Sequence, residues 1–186
     1  MTAWAKKRSV MHRYDVTAEM YDMRYENEQK AKIKTALENI KTERLGSVLD
    51  VGCGTGILFK YVDEHAHTIV AIDVSRRTLK QAKERQQIVE TVTVHLVQAD
   101  ADNMPLQNRV FDSIFAVTVL QNVPDPNRTL KEMQRAAKDN AIFVVTGLKK
   151  VFTQKRFQQI LNEAHLKVQT MQDEDLKCYV AVCVNG

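Results

Sequence analysis

Three glycines at alternate positions follow a single carboxylate in the stretch Val48–Leu58: Asp50 precedes Gly52, Gly54 and Gly56. The apolar residues around Asp50 predict a buried strand, and the helix-like residues Ile57–Asp63 come next. Glycine allows a tight turn in which backbone N–H groups approach a bound molecule, since no Cβ obstructs it. The N-terminus of the following helix adds a partial positive charge at the same place. This strand–turn–helix unit therefore predicts a ligand-binding site.

The spacing of this turn and its carboxylate indicate the kind of ligand. Dinucleotide-binding turns have the pattern Gly-x-Gly-x-x-Gly, whereas this chain has Gly-x-Gly-x-Gly with Asp50 two residues before the first glycine. A carboxylate there would repel a pyrophosphate and suits a ligand that carries an ammonium group. S-adenosylmethionine (SAM) has an amino-acid end, a sulfonium and no phosphate, so it fits this turn. A nucleotide-binding turn of another kind is the alternative.

Polar residues at the ends of the next predicted strands should face the same crevice. Asp73 ends the second predicted strand, where a carboxylate can accept both hydroxyls of a ribose. Asp100 follows the strand Thr91–Gln98, and Thr118–Asn122 lies at the end of the strand Val110–Val119. Because open α/β sheets bind ligands beyond the carboxyl ends of their strands, these stretches predict one shared site.

These stretches together resemble the class I SAM-dependent methyltransferases, in particular the small single-domain methyltransferases of the type 11 group. The resemblance covers residues 46–147 and rests on the runs Asp-Val-Gly-Cys-Gly-Thr-Gly, Asp-x-x-x-Met-Pro, Phe-Asp-x-Ile and Val-Pro-Asp-Pro. It implies that SAM is the cofactor. It also implies an enzyme of the EC 2.1.1 type, which transfers a methyl group from SAM to an acceptor.

The resemblance implies a role for each matching residue. The glycine turn leaves room for the methionine end of SAM, with Asp50 near its ammonium, while Asp73 holds the ribose. Val74 packs on the adenine, Asp100 accepts from its amino group, and the next backbone N–H meets a ring nitrogen. The predicted cofactor-binding residues are Asp50, Gly52, Cys53, Gly54, Gly56, Asp73, Val74, Asp100, Ala101 and Thr118.

The first forty residues predict the acceptor side of the site. One helical face carries Tyr14, Ala18, Tyr21 and Tyr25, and a second helix is expected at Glu26–Lys41. A phenol offers a flat face and a hydroxyl, which suits a lid over a ligand. Packing of these rings on the core is the alternative.

No general base is assigned. Methyl transfer from a sulfonium is an in-line displacement on an activated carbon, so alignment of donor and nucleophile can supply most of the catalysis. Arg24 would offer a planar guanidinium to a phosphate or carboxylate on the acceptor. The candidate catalytic or acceptor-side residues are Tyr14, Tyr21, Arg24, Tyr25 and Asn122.

Strands and helices alternate along the chain, which predicts an α/β fold. The expected architecture is a three-layer sandwich around a seven-stranded, mostly parallel, doubly wound sheet of the Rossmann-like type. Residues 1–186 should form one domain, with residues 1–44 as a helical lid and acceptor segment and residues 45–186 as the nucleotide-fold core. The last helix is expected at Val151–Ala164.

Composition limits the partners that we expect. The formal charge is +4, and the basic excess lies in the first 44 residues and after residue 148. With no insertion after the fifth strand to roof the site, this charge weakly favours a macromolecular acceptor, tRNA or a protein side chain, over a small metabolite. No apolar run could span a bilayer, and the three cysteines have no paired spacing. We therefore expect a cytoplasmic protein with no membrane, disulfide or metal site.

The third predicted strand should lie at an edge of the sheet, by the strand order of the family. Its apolar residues Val92, Val94 and Leu96 are unusual for an edge, and a small activating protein could add a strand there. The alternative is that the neighbouring helix covers these residues. Two other functions stay open: a nicotinamide-dependent oxidoreductase, whose glycine pattern this chain lacks, and a catalytically silent partner subunit with the same fold.

Overall fold

Five helices and seven strands make up the described part of the fold. The structure, a computed structural model, describes residues 2–186 apart from the side chains of residues 18, 19 and 21–24. The elements are α1 (Ala3–Glu38), β1 (Gly46–Val51), α2 (Phe59–Val62), β2 (Ala66–Asp73), α3 (Arg76–Gln86), β3 (Thr93–Gln98), β4 (Phe111–Ala116), α4 (Pro126–Ala136), β5 (Ala137–Leu148), α5 (Gln154–Glu163), β6 (Leu166–Gln172) and β7 (Cys178–Asn185).

All seven strands join one sheet in the order β3-β2-β1-β4-β5-β7-β6. Neighbours from β3 to β5 are parallel, whereas β7 pairs antiparallel with both β5 and β6. The chain runs from β1 outward to β3 and then returns to place β4 on the other side of β1. Ligands bind at such a switch point, beyond the carboxyl ends of the strands. The predicted doubly wound, mostly parallel sheet and the edge position of β3 are confirmed.

Helices cover both faces of the sheet and produce the three predicted layers. On one face, α1, α2 and α3 contribute Ile33, Phe59 and Leu79 to the core. On the other face, α4 and α5 contribute Leu130 and Phe157. Burial of these apolar side chains against the strands is the main force that holds the helices to the sheet.

The N-terminal helix α1 is continuous over 36 residues. The prediction of a separate helix at Glu26–Lys41 is wrong, because no glycine or proline occurs before Gly46 to interrupt the backbone. Among the described side chains of α1, burial begins only at Gln29. The second half of α1 is therefore anchored in the core, whereas the first half lies over the cavity at the strand ends.

Backbone conformation and helix caps set the ends of three elements near the site. The strand β4 ends three residues earlier than predicted, because Thr118 adopts a positive φ of 66°. Ser75 caps α3, since its hydroxyl accepts from the backbone N–H of Thr78 at 3.2 Å. Thr153 caps α5 in the same way, so this helix begins three residues later than predicted.

The described residues contain neither an apolar helix that could cross a bilayer nor a cluster of side chains that could hold a metal ion. The three cysteines, Cys53, Cys178 and Cys183, are buried and free. Cys178 and Cys183 belong to the cores on opposite faces of the sheet, as their spacing along β7 predicts. They are therefore part of the packing and not of a shared site.

Candidate active site

The glycine turn lies at the carboxyl end of β1. Gly54 has a φ of 55°, and a Cβ built there would meet no atom within 4 Å. Such open space is expected where the backbone approaches a ligand. Gly56 differs, because a Cβ there would lie 2.5 Å from the ring of Phe59. Gly56 thus lets α2 pack on the turn, while Gly52 and Gly54 line the cavities described next.

Three adjoining cavities lie near this turn, and residues of the turn line two of them. The main cavity is lined by Lys7, Val10, Tyr14, Gly52, Gly54, Ile72, Asp73, Val74, Thr78, Ala99, Asp100, Ala101, Val117, Thr118, Val119, Asn122, Val123 and Pro124. The turn cavity is lined by Gln29, Ile33, Asp50, Gly52, Cys53, Gly54, Thr55, Ile57, Leu58 and Val117. The side cavity is lined by Arg13, Tyr14, Thr17, Met20, Tyr25, Glu28, Gln29, Thr118, Gln121, Asn122, Leu148, Lys150 and Lys177. Each cavity shares lining residues with the other two, so the three cavities adjoin one another.

Asp50 is the buried carboxylate of the turn cavity. It is 3% exposed, and its Oδ2 atom has no hydrogen-bond partner among the described residues. Burial, helped by the negative charge of Asp73, raises the pKa of Asp50 to about 8. A buried carboxylate oxygen without a donor costs free energy until a partner binds. The residues present therefore fit SAM, whose ammonium group would pair with this oxygen.

Asp73 connects the glycine turn to the end of β2. Its Oδ2 accepts from the backbone N–H of Gly54 at 2.9 Å, and its Oδ1 accepts from that of Ser75 at 2.8 Å. Burial raises the pKa of Asp73, although these backbone hydrogen bonds oppose the shift. Asp73 lines the main cavity, and its carboxylate can accept several hydrogen bonds, so it can accept from a ligand there. Asp73 remains our proposed acceptor for the ribose hydroxyls.

The substitution Asp73→Asn tests this role. The amide would place a donor against a backbone N–H of the turn and would lose a charge-assisted bond to the ribose. We expect the affinity for SAM and for its product S-adenosylhomocysteine (SAH) to fall by about 1.5–3 kcal/mol, measured by calorimetry. Asp112→Asn is the matched control, because Asp112 accepts from the Ser47 N–H at the opposite end of β1. Equal SAH affinity in both variants would remove Asp73 from the site.

Asp100 lines the main cavity and is bound by a lysine from α1. The Nζ of Lys7 lies 2.6 Å from the Oδ2 of Asp100 and 2.7 Å from the Oδ2 of Asp102. Partial burial works against the charge of Lys7, but the two carboxylates outweigh it and raise its pKa. Asp102 is buried and also accepts from the hydroxyl of Thr129. Neither Lys7 nor Asp102 had a sequence signal, since their contacts join distant parts of the chain.

Thr118 sits in a strained backbone conformation where the main and side cavities meet. A φ of 66° is unusual for a β-branched residue and is typical of functional positions. Its hydroxyl accepts from the Nζ of Lys32 at 3.0 Å and donates to the Oε1 of Gln29 at 2.9 Å. Its backbone N–H donates to the hydroxyl of Thr146 at 2.7 Å. The hydroxyl of Thr118 is therefore already used to hold α1 against β4.

The two α1 residues in this network were missed by sequence reasoning. Lys32 is only 1% exposed and forms an ion pair with Glu28 at 2.8 Å. A signal was present, because Gln29, Lys32, Ile33 and Ala36 have the i, i+3, i+4, i+7 spacing of a buried helical face. Polar residues on such a face require partners in the interior. That requirement points to a polar network under the helix.

Asn122 joins the end of β4 to α1. Its Nδ2 donates to the hydroxyl of Tyr14 at 2.9 Å and to the carbonyl of Thr118 at 2.8 Å. Its Oδ1 accepts from Arg13 at 2.7 Å, and the guanidinium of Arg13 lies 5.2 Å from the centre of the Tyr14 ring. Burial raises the pKa of Tyr14, so this phenol stays neutral at neutral pH. Tyr14 is thus suited to position a ligand rather than to remove a proton.

Some of the other predicted site residues line the cavities, and the side chains of the rest lie outside the described residues. Val74 and Ala101 line the main cavity, and Tyr25 lines the side cavity. Cys53 lines the turn cavity, and burial holds its pKa well above that of an ordinary thiol, so it is not a nucleophile there. The side chains of Tyr21 and Arg24, and of Ala18 on the predicted aromatic face, lie outside the described residues.

A doubly wound sheet with a glycine turn and carboxylates at successive strand ends defines the Rossmann-like fold of SAM-dependent methyltransferases. A family model described as a methyltransferase domain, Methyltransf_11, matches residues 49–145, more than half of the chain. The chain therefore belongs to this methyltransferase family, and the type 11 resemblance is confirmed. SAM is the cofactor that this family and fold indicate.

Individual relatives agree with this assignment. The chain is 30% identical over 150 residues to a malonyl-[acyl-carrier protein] O-methyltransferase of Marinomonas sp. (strain MWYL1), a match that covers 80% of this chain and 54% of that protein. The chain spans about half the length of the curated relatives it matches. A SAM-dependent methyltransferase from Aquifex aeolicus has the same fold, with a TM-score of 0.77, 20% identity and coverage of 91% and 97% of the two chains.

A second solved structure comes from a complex between the Haloferax volcanii Trm112 methyltransferase activator and a putative methyltransferase. Its TM-score is 0.77 at 15% identity, and the match covers 92% of this chain and 96% of that chain. At this identity the likeness shows the fold alone. It does not by itself assign a partner to this chain.

Proposed function

We propose that this protein transfers a methyl group from SAM to a small acceptor bound in the side cavity. The observation that carries the proposal is the position of Asp50, Asp73 and Asp100 around the turn and main cavities. Tyr14 and Asn122 line both the main and the side cavity, so they lie at the boundary between donor and acceptor. SAM would supply an electrophilic methyl group on its sulfonium.

The residues of this chain would bind and align the two reactants. Asp50 would pair with the ammonium, Asp73 with the ribose hydroxyls, and Asp100 with the adenine amino group. Val74 and Ala101 would contact the adenine ring. Alignment of a nucleophile with an activated methyl group supplies most of the catalysis in this scheme, so it needs no dedicated base.

The position of α1 supports a small acceptor. The first half of α1 lies over the site, and Lys7 and Arg13 hold it to the opposite wall. A site partly covered by a helix suits a small molecule. The absence of an insertion after the fifth strand had made a small acceptor less expected. The comparisons give no support to the macromolecular acceptor, tRNA or a protein side chain, that the charge distribution weakly favoured.

Transfer of a labelled methyl group tests this function and the alternative acceptors together. The purified protein is incubated with methyl-labelled SAM and a cell extract, which is then separated into small molecules, protein and RNA. We expect label in the small-molecule fraction, and less of it with Asp73→Asn when the SAM concentration is limiting. Label in the RNA or protein fraction would contradict a small acceptor and would indicate a macromolecular one. No transfer together with no SAH binding would overturn the methyltransferase proposal.

An activating protein at the β3 edge is a further proposal with narrower support. Val92 and Val94 are 7% and 4% exposed and pack in the core beside α3, so their side chains offer little to a partner. Gln86 also donates to the backbone carbonyl of Val94 at 2.8 Å. Only backbone pairing along the rest of β3 would be left for a partner. Turnover by the purified chain alone would remove the requirement for an activator and the silent-subunit alternative.

A further inference from the structure

The side cavity has the size and position of a substrate site. Its volume is about 470 Å³, within the range of cavities that bind small molecules. It meets the main cavity at Tyr14, Thr118 and Asn122, so a molecule in it would face the donor. The chemistry of its lining therefore bears on the acceptor.

The charged groups of the side cavity are mainly positive. Arg13, Lys150 and Lys177 come from α1 and from the turns that follow β5 and precede β7. The one carboxylate among the described lining residues is Glu28, which lies 2.8 Å from Lys32 and 3.3 Å from Lys177. Glu28 is thus already neutralised by partners. Lys150 forms no ion pair with a described residue, so its charge is available to a ligand.

The remaining lining offers an apolar surface for the body of a ligand. Met20 and Tyr25 on α1 are 57% and 38% exposed, which is high for large apolar side chains. Leu148, at the end of β5, is half-buried on the opposite side. Exposed apolar side chains that line a cavity gain free energy when a ligand covers them.

We propose that the acceptor is a small amphipathic molecule with an anionic group, a carboxylate or a phosphate, that binds at Lys150 and Lys177. Its apolar part lies against Met20, Tyr25 and Leu148. This inference rests on the proposed function and narrows it to a substrate class. An acceptor with a cationic amine would be repelled by the same residues, and a neutral one would gain nothing from them.

Simple aromatic probes distinguish these classes without knowledge of the natural acceptor. Binding of phenylacetate, phenyl phosphate, the neutral isostere phenylacetamide and the cation phenethylamine is measured by ligand-observed NMR in the presence of saturating SAH. Ligands of this size should bind with dissociation constants on the order of 1 mM. We expect phenylacetamide to bind about fivefold more weakly than phenylacetate, and phenethylamine more weakly still. The better of the two anions identifies the head group.

A double variant assigns the effect to the two lysines. Lys150→Gln/Lys177→Gln should weaken the better anion about fivefold and leave phenylacetamide and SAH unchanged. Lys155→Gln is the matched control, because Lys155 is an exposed lysine on α5 that does not line the cavity. Equal binding of anion and amide, or an anion affinity that the double variant leaves unchanged, overturns the inference. Failure of SAH to bind would overturn the proposed function, and the inference with it.

Discussion

Removal of residues 1–25 is expected to abolish methyl transfer while the remaining domain folds and keeps part of its affinity for SAM. The described side chains of this segment are not buried, so its loss removes little of the core. The helix would still begin before Gln29 and Ile33, which anchor it. What disappears is the roof of the main cavity and one wall of the side cavity, including Tyr14.

The contacts of this segment explain why both binding and transfer should suffer. The Nζ of Lys6 donates to the carbonyl of Val123 at 2.6 Å, and the Oδ1 of Asp15 accepts from the hydroxyl of Ser75 at 2.6 Å. With the ion pairs of Lys7, these contacts close the helix over three strand ends. Without the helix, the acceptor would lose its alignment with the donor, which should cost about 100-fold or more in rate.

Three measurements test the truncation. Circular dichroism checks the fold, calorimetry measures SAH affinity, and labelled SAM with extract measures transfer. A shorter deletion of residues 1–5 is the control, because it leaves Lys6 and Lys7 in place and should retain activity. If the truncated protein methylates at the full rate, residues 1–25 have no role in transfer and only pack on the core. The same result would contradict the proposed division into a lid segment, residues 1–44, and a core, residues 45–186.

Asp50→Asn is expected to stabilise the empty protein and to weaken SAM binding. Burial and the nearby charge of Asp73 raise the pKa of Asp50 in the folded state to about 8, against a reference value of 3.8. A carboxyl group whose pKa is higher in the folded state than in the unfolded state favours folding at low pH. Its contribution to the free energy of unfolding is lost as the pH rises from about 4 to about 8. At pH 7 the ionisation of Asp50 lowers the free energy of unfolding by about 4 kcal/mol relative to low pH.

Asparagine removes this pH dependence but leaves a buried amide, in which the atom at the Oδ2 position lacks a partner, at a cost of about 1–3 kcal/mol. We therefore expect a net stabilisation of about 1–3 kcal/mol at pH 7, or several degrees in Tm. The affinity for SAH should fall about 10- to 100-fold, because the ammonium loses its charged partner.

Thermal unfolding at pH 5 and pH 8 checks the sign. The stability advantage of Asp50→Asn over the unsubstituted protein should grow with pH. Asp112→Asn is a control for which the change in stability should have the opposite sign. Burial opposes ionisation of Asp112, but Lys138 and the Ser47 N–H outweigh it and lower the pKa of Asp112. A less stable Asp50→Asn protein at pH 8, or unchanged SAH affinity, would contradict the role given to Asp50.

The sequence by itself determined the family, the sheet and the cofactor. These features depend on short-range patterns: the glycine turn after an apolar strand, carboxylates such as Asp73 and Asp100 at strand ends, and the alternation of strands with helices. Each pattern lies within a few residues, so propensity and spacing are enough to recognise it. Ser75 as a cap belongs to the same class of local signal.

Only the tertiary structure decided how the N-terminal segment closes the site. Lys7 reaches Asp100 across 93 positions of the chain, and Lys32 reaches Thr118 across 86. The positive φ of Thr118 has the same origin, because the partners that hold it come from α1 and β5. A single continuous α1, where two helices were predicted, carries these residues across the strand ends. Helical periodicity can indicate that Lys32 is buried, but it does not say that Thr118 is its partner. The partners depend on where the packed core directs each element.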